Sequence, residues 1–386
     1  MKIAYRSFAV DNSGYGSAAR GYVRALDDIG VEVDLLVSKH WKGDPVAMSE
    51  DLSYFIQSKL VEESDAPFVI QHITPELIRF HPGKYMIAYS AWETSVAPEH
   101  WVMPLRACDE VWVPSDWTYK VYEEGHVFRQ EGRVIPHGVD STFFNPRNTP
   151  LDELGQFDGF TFGIMSDWIE RKGGDILLEA FLREFSADDS VRLVLKGYIA
   201  SVPEKSSSYI RSRVGDFRNR ISYDYEKQGK PKKTFAPIAL ATRVWSDTDV
   251  ARFYCSIDCY AHPSRAEGWG LGFTEAMASG VPVMALRGTG NMHYMNDDNA
   301  FLIDADFVTI PEDTRLDYQN RIYFAPQQWM NPKLEEVQKM LRHIVDSPEE
   351  RQTKAERALQ DVREKWTWQQ AAQKMVDRLT EIEAQL

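Results

Sequence analysis

Residues 2–38, KIAYRSFAVDNSGYGSAARGYVRALDDIGVEVDLLVS, set out a pattern that the rest of the chain repeats. KIAYRSF reads as a strand, DNSGYGS as a loop, AARGYVRALDDIG as a helix and VEVDLLVS as a second strand. The helix rests on spacing: Ala19, Tyr22, Val23 and Leu26 recur at three- and four-residue steps, which puts them on one face. Gly30 stands where a C-terminal cap glycine belongs. A strand–helix–strand opening implies a parallel sheet, whose ligand site lies at the carboxyl ends of its strands.

The runs PFVIQHI, YMIAYSAW, EVWVPS and RVIPHGV continue this pattern and predict one doubly wound α/β domain over residues 1–150. NPRNTPLDELGQFDGF, with its prolines, asparagines and glycines, reads as a linker. The pattern then restarts. FTFGIMS, VRLVLKG, DCYAHPS and VPVMAL read as strands, while GGDILLEAFLREF, DVARFYCSI and GLGFTEAMASG read as helices, the last capped by Gly280. A second α/β domain is therefore expected over residues 155–365, followed by a periodic closing helix at 367–386. No repeat links the halves, and no segment is of low complexity.

A chain of 386 residues suits two domains of common size, and 43% hydrophobic with 26% charged residues is ordinary for a soluble protein. No apolar run approaches the roughly 18 residues of a membrane span, and MKIAYRSFAV reads as a first strand rather than a targeting segment. Cys108, Cys255 and Cys259 form no metal-binding or paired spacing, which suits structural thiols in a reducing cytoplasm. The net charge of −14 disfavours polyanionic partners in general. One segment departs from it: residues 205–233 hold nine Lys/Arg against three acids, interleaved with tyrosine and phenylalanine. That mixture suits phosphate pairing and base stacking, or simply a solvated helical insertion.

The stretch His262–Val283, HPSRAEGWGLGFTEAMASGVPV, carries the chemistry. Gly268, Gly270 and Gly272 precede or open a helix, whose N-terminus offers unpaired N–H groups to a phosphate. Glu275 lies inside that helix and Glu267 before the loop, so each carboxylate can take hydroxyls on its own side of the phosphate. A sugar nucleotide has that order: ribose, pyrophosphate, sugar. The plainer alternative is a common glycine turn with a glutamate favoured by the helix dipole.

PSRAEGWGLGFTEAMASGVPV resembles the signature of the retaining family 4 glycosyltransferases, P-S-x-x-E-G-[FW]-G-L-x-x-x-E-A-M-A-x-G-x-P-V. SGYGSAARGYVRAL, DEVWVPSDWTYKVY, VIPHGVDSTFFNP, ERKGGDILLEAF and WTWQQAAQKMVDRL resemble further family segments in the same order. The resemblance implies a GT-B architecture: two Rossmann-like domains facing a cleft, with the acceptor on the first, the donor on the second and the closing helix crossing back. It implies that Glu275 holds ribose hydroxyls, that Glu267 holds the donor sugar, and that Gly268 and the backbone at Gly270 and Leu271 meet the pyrophosphate. Lys172 matches the lysine that neutralises the diphosphate leaving group. The family usually needs no metal or other cofactor, and DADF (304–307) is expected to be a surface turn rather than a metal-binding pair.

Two positions depart from the pattern. Asp167 stands where many members have an arginine, which leaves Arg171 or Arg265 as the second cation. The first-domain loop that often holds a histidine reads YSAWETSVAP, so Trp92, Glu93 and Thr94 fill that place, and Glu93 is the candidate for orienting an acceptor hydroxyl. His72 and His137 read as structural. Gly14 and Gly16, after the first strand, are candidates for closing over the pyrophosphate.

The expected activity is retaining transfer of a sugar from a nucleoside diphosphate to a hydroxyl acceptor, by front-face departure without an enzymic nucleophile. The acceptor is left open among a glycan, a lipid-linked intermediate and a modified DNA base. A first domain with 14 Lys/Arg against 21 Asp/Glu over residues 1–150 argues against anchoring on an anionic membrane. A sugar-nucleotide epimerase and an inactive nucleotide-sugar binding protein are the rivals, and the oligomeric state is not legible.

Overall fold

The computed structural model describes residues 1–11, 13–38, 48–129, 132–199, 203–311, 314 and 326–386. The opening stretch folds as strand β1 (Lys2–Ser7), helix α1 (Gly14–Asp28) and strand β2 (Glu32–Val37). The predicted face is buried: Ala19, Tyr22, Val23 and Leu26 are all fully covered. The helix begins four residues before its predicted start. Ser13 caps it by accepting from Gly16 N at 3.0 Å, so most of the expected SGYGS loop is the first helical turn. Gly16 is required there, because a Cβ would lie 2.4 Å from Asp11 O.

The first domain continues with α2 (Glu50–Lys59), β3 (Phe68–His72), β4 (Tyr85–Tyr89), α3 (Glu99–Arg106), β5 (Glu110–Val113), α4 (Asp116–Glu124) and β6 (Arg133–Val134). Its six strands pair in parallel in the order β2-β1-β3-β4-β5-β6. The second domain runs β7 (Phe160–Asp167), α5 (Gly174–Glu184), β8 (Val191–Tyr198), α6 (Ser206–Lys227), β9 (Ile238–Ala241), α7 (Asp247–Tyr254), β10 (Cys259–Ala261), α8 (Leu271–Ala278), β11 (Val283–Leu286) and β12 (Phe301–Ile303). Its parallel order is β12-β11-β10-β7-β8-β9. Strands β13 (Asp306–Thr309) and β14 (Gln328–Asn331), then helices α9 (Leu334–Asp346), α10 (Pro348–Lys365) and α11 (Trp368–Glu383), complete the chain. Two parallel α/β units, each with its own core, match the expected class.

Helix α11 buries Ala371, Ala372, Met375, Leu379 and Ile382 in the first-domain core, against α1 and the β1, β3 and β4 side chains. Thr367 and Gln370 close its N-terminus as a capping box. Ser115, after β5, donates to Gly268 O at 2.7 Å, so the carboxyl ends of the two sheets face each other.

DADF is not a turn. Asp306 and Phe307 belong to β13, which pairs antiparallel with β14. Phe307 stacks on Trp117 of the first domain, and Asp304 pairs with Arg287 at 2.7 Å. The basic segment is mostly α6, which buries Ile210, Val214, Phe217 and Ile221. Arg213 pairs with Asp175, Arg220 with Glu179, and Arg218 lies over Phe235, so much of its charge serves packing against α5 and its neighbours. Among the described residues, no helix is long and apolar enough to cross a membrane.

Candidate active site

The site starts at the N-terminus of α8. Gly270 adopts φ +93°, and a Cβ there would lie 2.7 Å from the Phe273 ring, so glycine alone fits. No side chain caps the helix. The N–H groups of Leu271 and Gly272 precede the first backbone bond of the helix, Phe273 N to Gly270 O at 3.1 Å, and can meet an anion.

Glu267 stands on one side of this helix end, 6% exposed. Lys172 Nζ lies 2.7 and 2.9 Å from its two carboxylate oxygens, and Arg171 lies 3.9 Å away. Burial alone would push this carboxyl up; the Lys172 and Arg171 charges outweigh it and hold the group down at about 2. Both cations come from the tight turn that follows β7, where Gly173 takes the left-handed conformation beside Pro263 O.

Glu275 stands on the other side, inside α8. Its carboxylate accepts from Tyr254 OH at 2.8 Å. Burial pushes it up to about 7; the Tyr254 bond opposes this, nearby Asp247 adds to it, and Arg20 of the first domain opposes it again. Burial also raises Asp247, with Arg20 opposing. The Arg20 guanidinium donates to Ala9 O and Asp11 O, which fixes it beneath the turn that opens α1.

Glu93 reaches across from the first domain and meets Arg171 at 3.1 Å, while Arg171 also donates to Ala266 O at 2.7 Å. The two possible second cations thus divide. Arg171 joins the Glu267–Lys172 group. Arg265 donates instead to Glu170 O and lies over the Trp329 ring, away from both glutamates. Asp167 is the buried last residue of β7.

Gly268 packs against the first domain: a Cβ would lie 3.0 Å from that of Ala91. Gly14 has open space beside it, whereas Gly16 is enclosed. His72 and His137 sit in a buried aromatic cluster, bonded through Nδ1 to Tyr5 OH at 2.8 Å and Tyr89 OH at 3.0 Å. Burial lowers both, His137 to about 3. Among the described residues, no group of three or more His, Cys, Asp or Glu is placed to hold a metal ion.

Sequence reasoning did not single out Tyr254, Asp247, Arg20 or Thr289, whose hydroxyl accepts from Glu267 N at 3.0 Å. Tyr254 and Arg20 lie in helices read for their apolar spacing, and nothing local marks either as a neighbour of Glu275.

Residues 158–308 match the family model described as Glycosyl transferases group 1, and residues 246–375 match that described as Family 4 Glycosyltransferase in conflict systems. No curated protein sequence matches the chain. Among solved structures, Anabaena HepE in complex with UDP-glucose superposes with a TM-score of 0.67 at 16% identity, over 99% of this chain and 100% of that one. Sucrose-phosphate synthase from Thermosynechococcus elongatus gives 0.66 at 16% identity, over 100% of each chain. A glycosyltransferase from Rickettsia africae gives 0.60 at 14% identity, over 99% and 98%. At such identities the likeness is one of fold: the GT-B arrangement of two facing Rossmann-like domains.

Proposed function

We propose, from the premise that the chain belongs to the group 1, family 4 glycosyltransferases, that it is a retaining enzyme moving a sugar from a nucleoside diphosphate to a hydroxyl acceptor. The observation that supports this most is the order along one stretch: a cation-paired Glu267, an uncapped helix end at Gly270 and Leu271, and a half-buried Glu275. Glu275 takes the ribose hydroxyls, the helix end takes the pyrophosphate, and Glu267 takes hydroxyls of the donor sugar.

Departure of the diphosphate builds negative charge on its terminal oxygens. Lys172, with Arg171 beside it, supplies fixed positive charge at that place, a form of stabilisation that needs no metal. The acceptor oxygen then bonds to the anomeric carbon on the face the phosphate leaves. The departing phosphate oxygen takes the acceptor proton, so atoms and charge balance and the anomeric configuration is kept. Glu93, ion-paired to Arg171 from the first domain, orients the acceptor hydroxyl. The three unpaired cysteines suit a reducing cytoplasm.

The acceptor is proposed only as a hydroxyl. The nucleic-acid branch would rest on α6, whose Arg213 and Arg220 are paired within the fold. The test is a melting-temperature panel of nucleoside diphosphates, followed by NMR of the product's anomeric proton with the stabilising base. A stabilising nucleotide and a product with the donor's anomeric configuration are expected. Inverted product, or an epimerised nucleotide sugar formed without acceptor, would overturn the reading.

A further inference from the structure

The β13–β14 hairpin belongs to neither six-stranded sheet. The free edge of β14 meets both sides of the site. Towards the donor loop, Met330 N donates to Arg265 O at 2.9 Å, and the Arg265 guanidinium lies 5.5 Å over the Trp329 ring. Towards the first domain, Ser95 N donates to Gln328 O at 3.2 Å, and Gln328 N donates to Ser95 Oγ at 2.9 Å. Trp329 is buried in one cluster with Trp92, Ala97, Trp101 and Ala266. Gln327, just before β14 and 4% exposed, makes the closest tie. Its Oε1 accepts from Thr94 Oγ1 at 2.9 Å and from Val96 N at 2.8 Å.

These bonds hold the three residues that follow Glu93. Its backbone carbonyl accepts from Trp117 Nε1 at 2.9 Å, and its carboxylate meets Arg171, the neighbour of Lys172. Thr94 is fully buried, so its hydroxyl has no solvent to turn to when the Gln327 oxygen is removed. The loop must then shift, and Glu93 shifts with it.

We propose that the hairpin is a clasp that sets the acceptor-side loop against the donor-side cations, and that Gln327 is its positioning residue. It acts through Thr94 and Val96 to hold Glu93 on Arg171. This rests on the transferase reading for its catalytic consequence, but not for its geometry. The feature the site uses is a side-chain oxygen that accepts twice, from Thr94 Oγ1 and from Val96 N.

The test compares Gln327→Ala with Gln327→Glu in the full chain, by amide hydrogen exchange at Val96 and by transfer kinetics. Gln327→Ala is expected to speed Val96 exchange roughly fivefold or more. It should lower kcat about 10- to 100-fold, the cost of a small misplacement, while nucleoside diphosphate affinity holds. Gln327→Glu at pH 8, with a carboxylate that accepts both bonds, should restore slow exchange and most of the turnover. Wild-type exchange and turnover in the alanine variant would overturn the proposal. So would equal impairment of both variants, or nucleotide affinity falling in step with kcat, which marks a general structural role. Faster Val96 exchange in a protein that transfers no sugar would sink the transferase reading and leave the clasp standing.

Discussion

Glu267 and Glu275 are two carboxyls of one type, eight residues apart on one stretch, and their surroundings drive them in opposite directions. Glu267 is held at about 2 because Lys172 and Arg171 overcome its burial. Glu275 rises to about 7 because the neutral Tyr254 hydroxyl and the Arg20 charge do not offset its burial, to which the like-charged Asp247 adds. The Glu267 end, where the proposed reading places the donor sugar, therefore has a permanent ion pair, fixed before any ligand arrives. The Glu275 end, where the proposed reading places the ribose, has a group that can shed or keep its proton near neutrality, with Tyr254 as its one donor among the described residues until ligand hydroxyls supply more. Burial alone does not set the charge of a carboxyl; the partner does.

Removing Lys172 attacks this difference at its larger end. Lys172→Ala leaves the buried Glu267 with Arg171, at 3.9 Å, as its remaining ion-pair partner among the described residues, and its carboxyl should climb towards that of Glu275. Turnover should fall about 10²- to 10³-fold, the usual effect of losing one preorganised charge at a developing anion. Stability gives an independent reading. The folded carboxyl of Glu267 lies below its ordinary value of 4.5, so its contribution is present above that value and is lost as pH falls towards 2. In Lys172→Ala this acid limb should move to higher pH in a series of thermal melts. An unmoved limb would show that Lys172 is not what holds Glu267 ionised.

The Glu275 end predicts a smaller effect with a different pH sign. Its folded carboxyl lies above the ordinary value, so ionising it costs stability progressively as pH rises from about 4.5 to about 7. Ribose hydroxyls favour the ionised form, so nucleotide affinity should rise with pH up to about 7 and then level. Glu275→Gln should weaken nucleoside diphosphate binding about 10- to 100-fold at pH 8. It should also raise the stability of the free protein at that pH by about 1–3 kcal/mol. The terminal phosphate of the ligand itself titrates near pH 6, so the deciding quantity is the wild-type pH profile minus that of the variant. Identical profiles by calorimetry would remove Glu275 from the ribose site.

The same contrast marks what sequence can and cannot carry. Ala19, Tyr22, Val23 and Leu26 spelled out the buried face of α1, and the glycines around Glu267 and Glu275 marked the opening of α8, because both signals lie within one element. Ser13 could have placed the start of α1 correctly, since a serine three residues before Gly16 is a cap signal. Arg265 was not legible. A cation two residues before Glu267 looks like a ligand contact, yet its side chain turns to Glu170 O and Trp329, and sequence distance does not encode that direction. The strand at Asp306–Thr309 was hidden for a related reason. Its acidic start resembles a turn, and what makes it a strand is a partner some twenty residues on and an aromatic ring in the other domain. The Glu93–Arg171 pair likewise joins residues on separate domains, which spacing cannot bring together.

Tyr254 offers the finest adjustment of the contrast. Its hydroxyl is the one hydrogen-bond donor at the Glu275 carboxylate among the described residues, and it lowers a pKa that burial and Asp247 raise. Tyr254→Phe removes that donor and keeps the ring, which packs beside Phe144 and Tyr260. Glu275 should then hold its proton to higher pH, and the rise of nucleotide affinity with pH should shift upward by about one unit or less. At pH 7 the loss of affinity should be about two- to fivefold and should shrink by pH 9, where the carboxylate is ionised in either protein. That recovery separates Tyr254→Phe from Glu275→Gln, whose loss does not recover at high pH because no carboxylate remains. A Tyr254→Phe loss that stays constant from pH 6 to pH 9 would mean that the hydroxyl meets the ligand directly. The charge of Glu275 would then not be under its control.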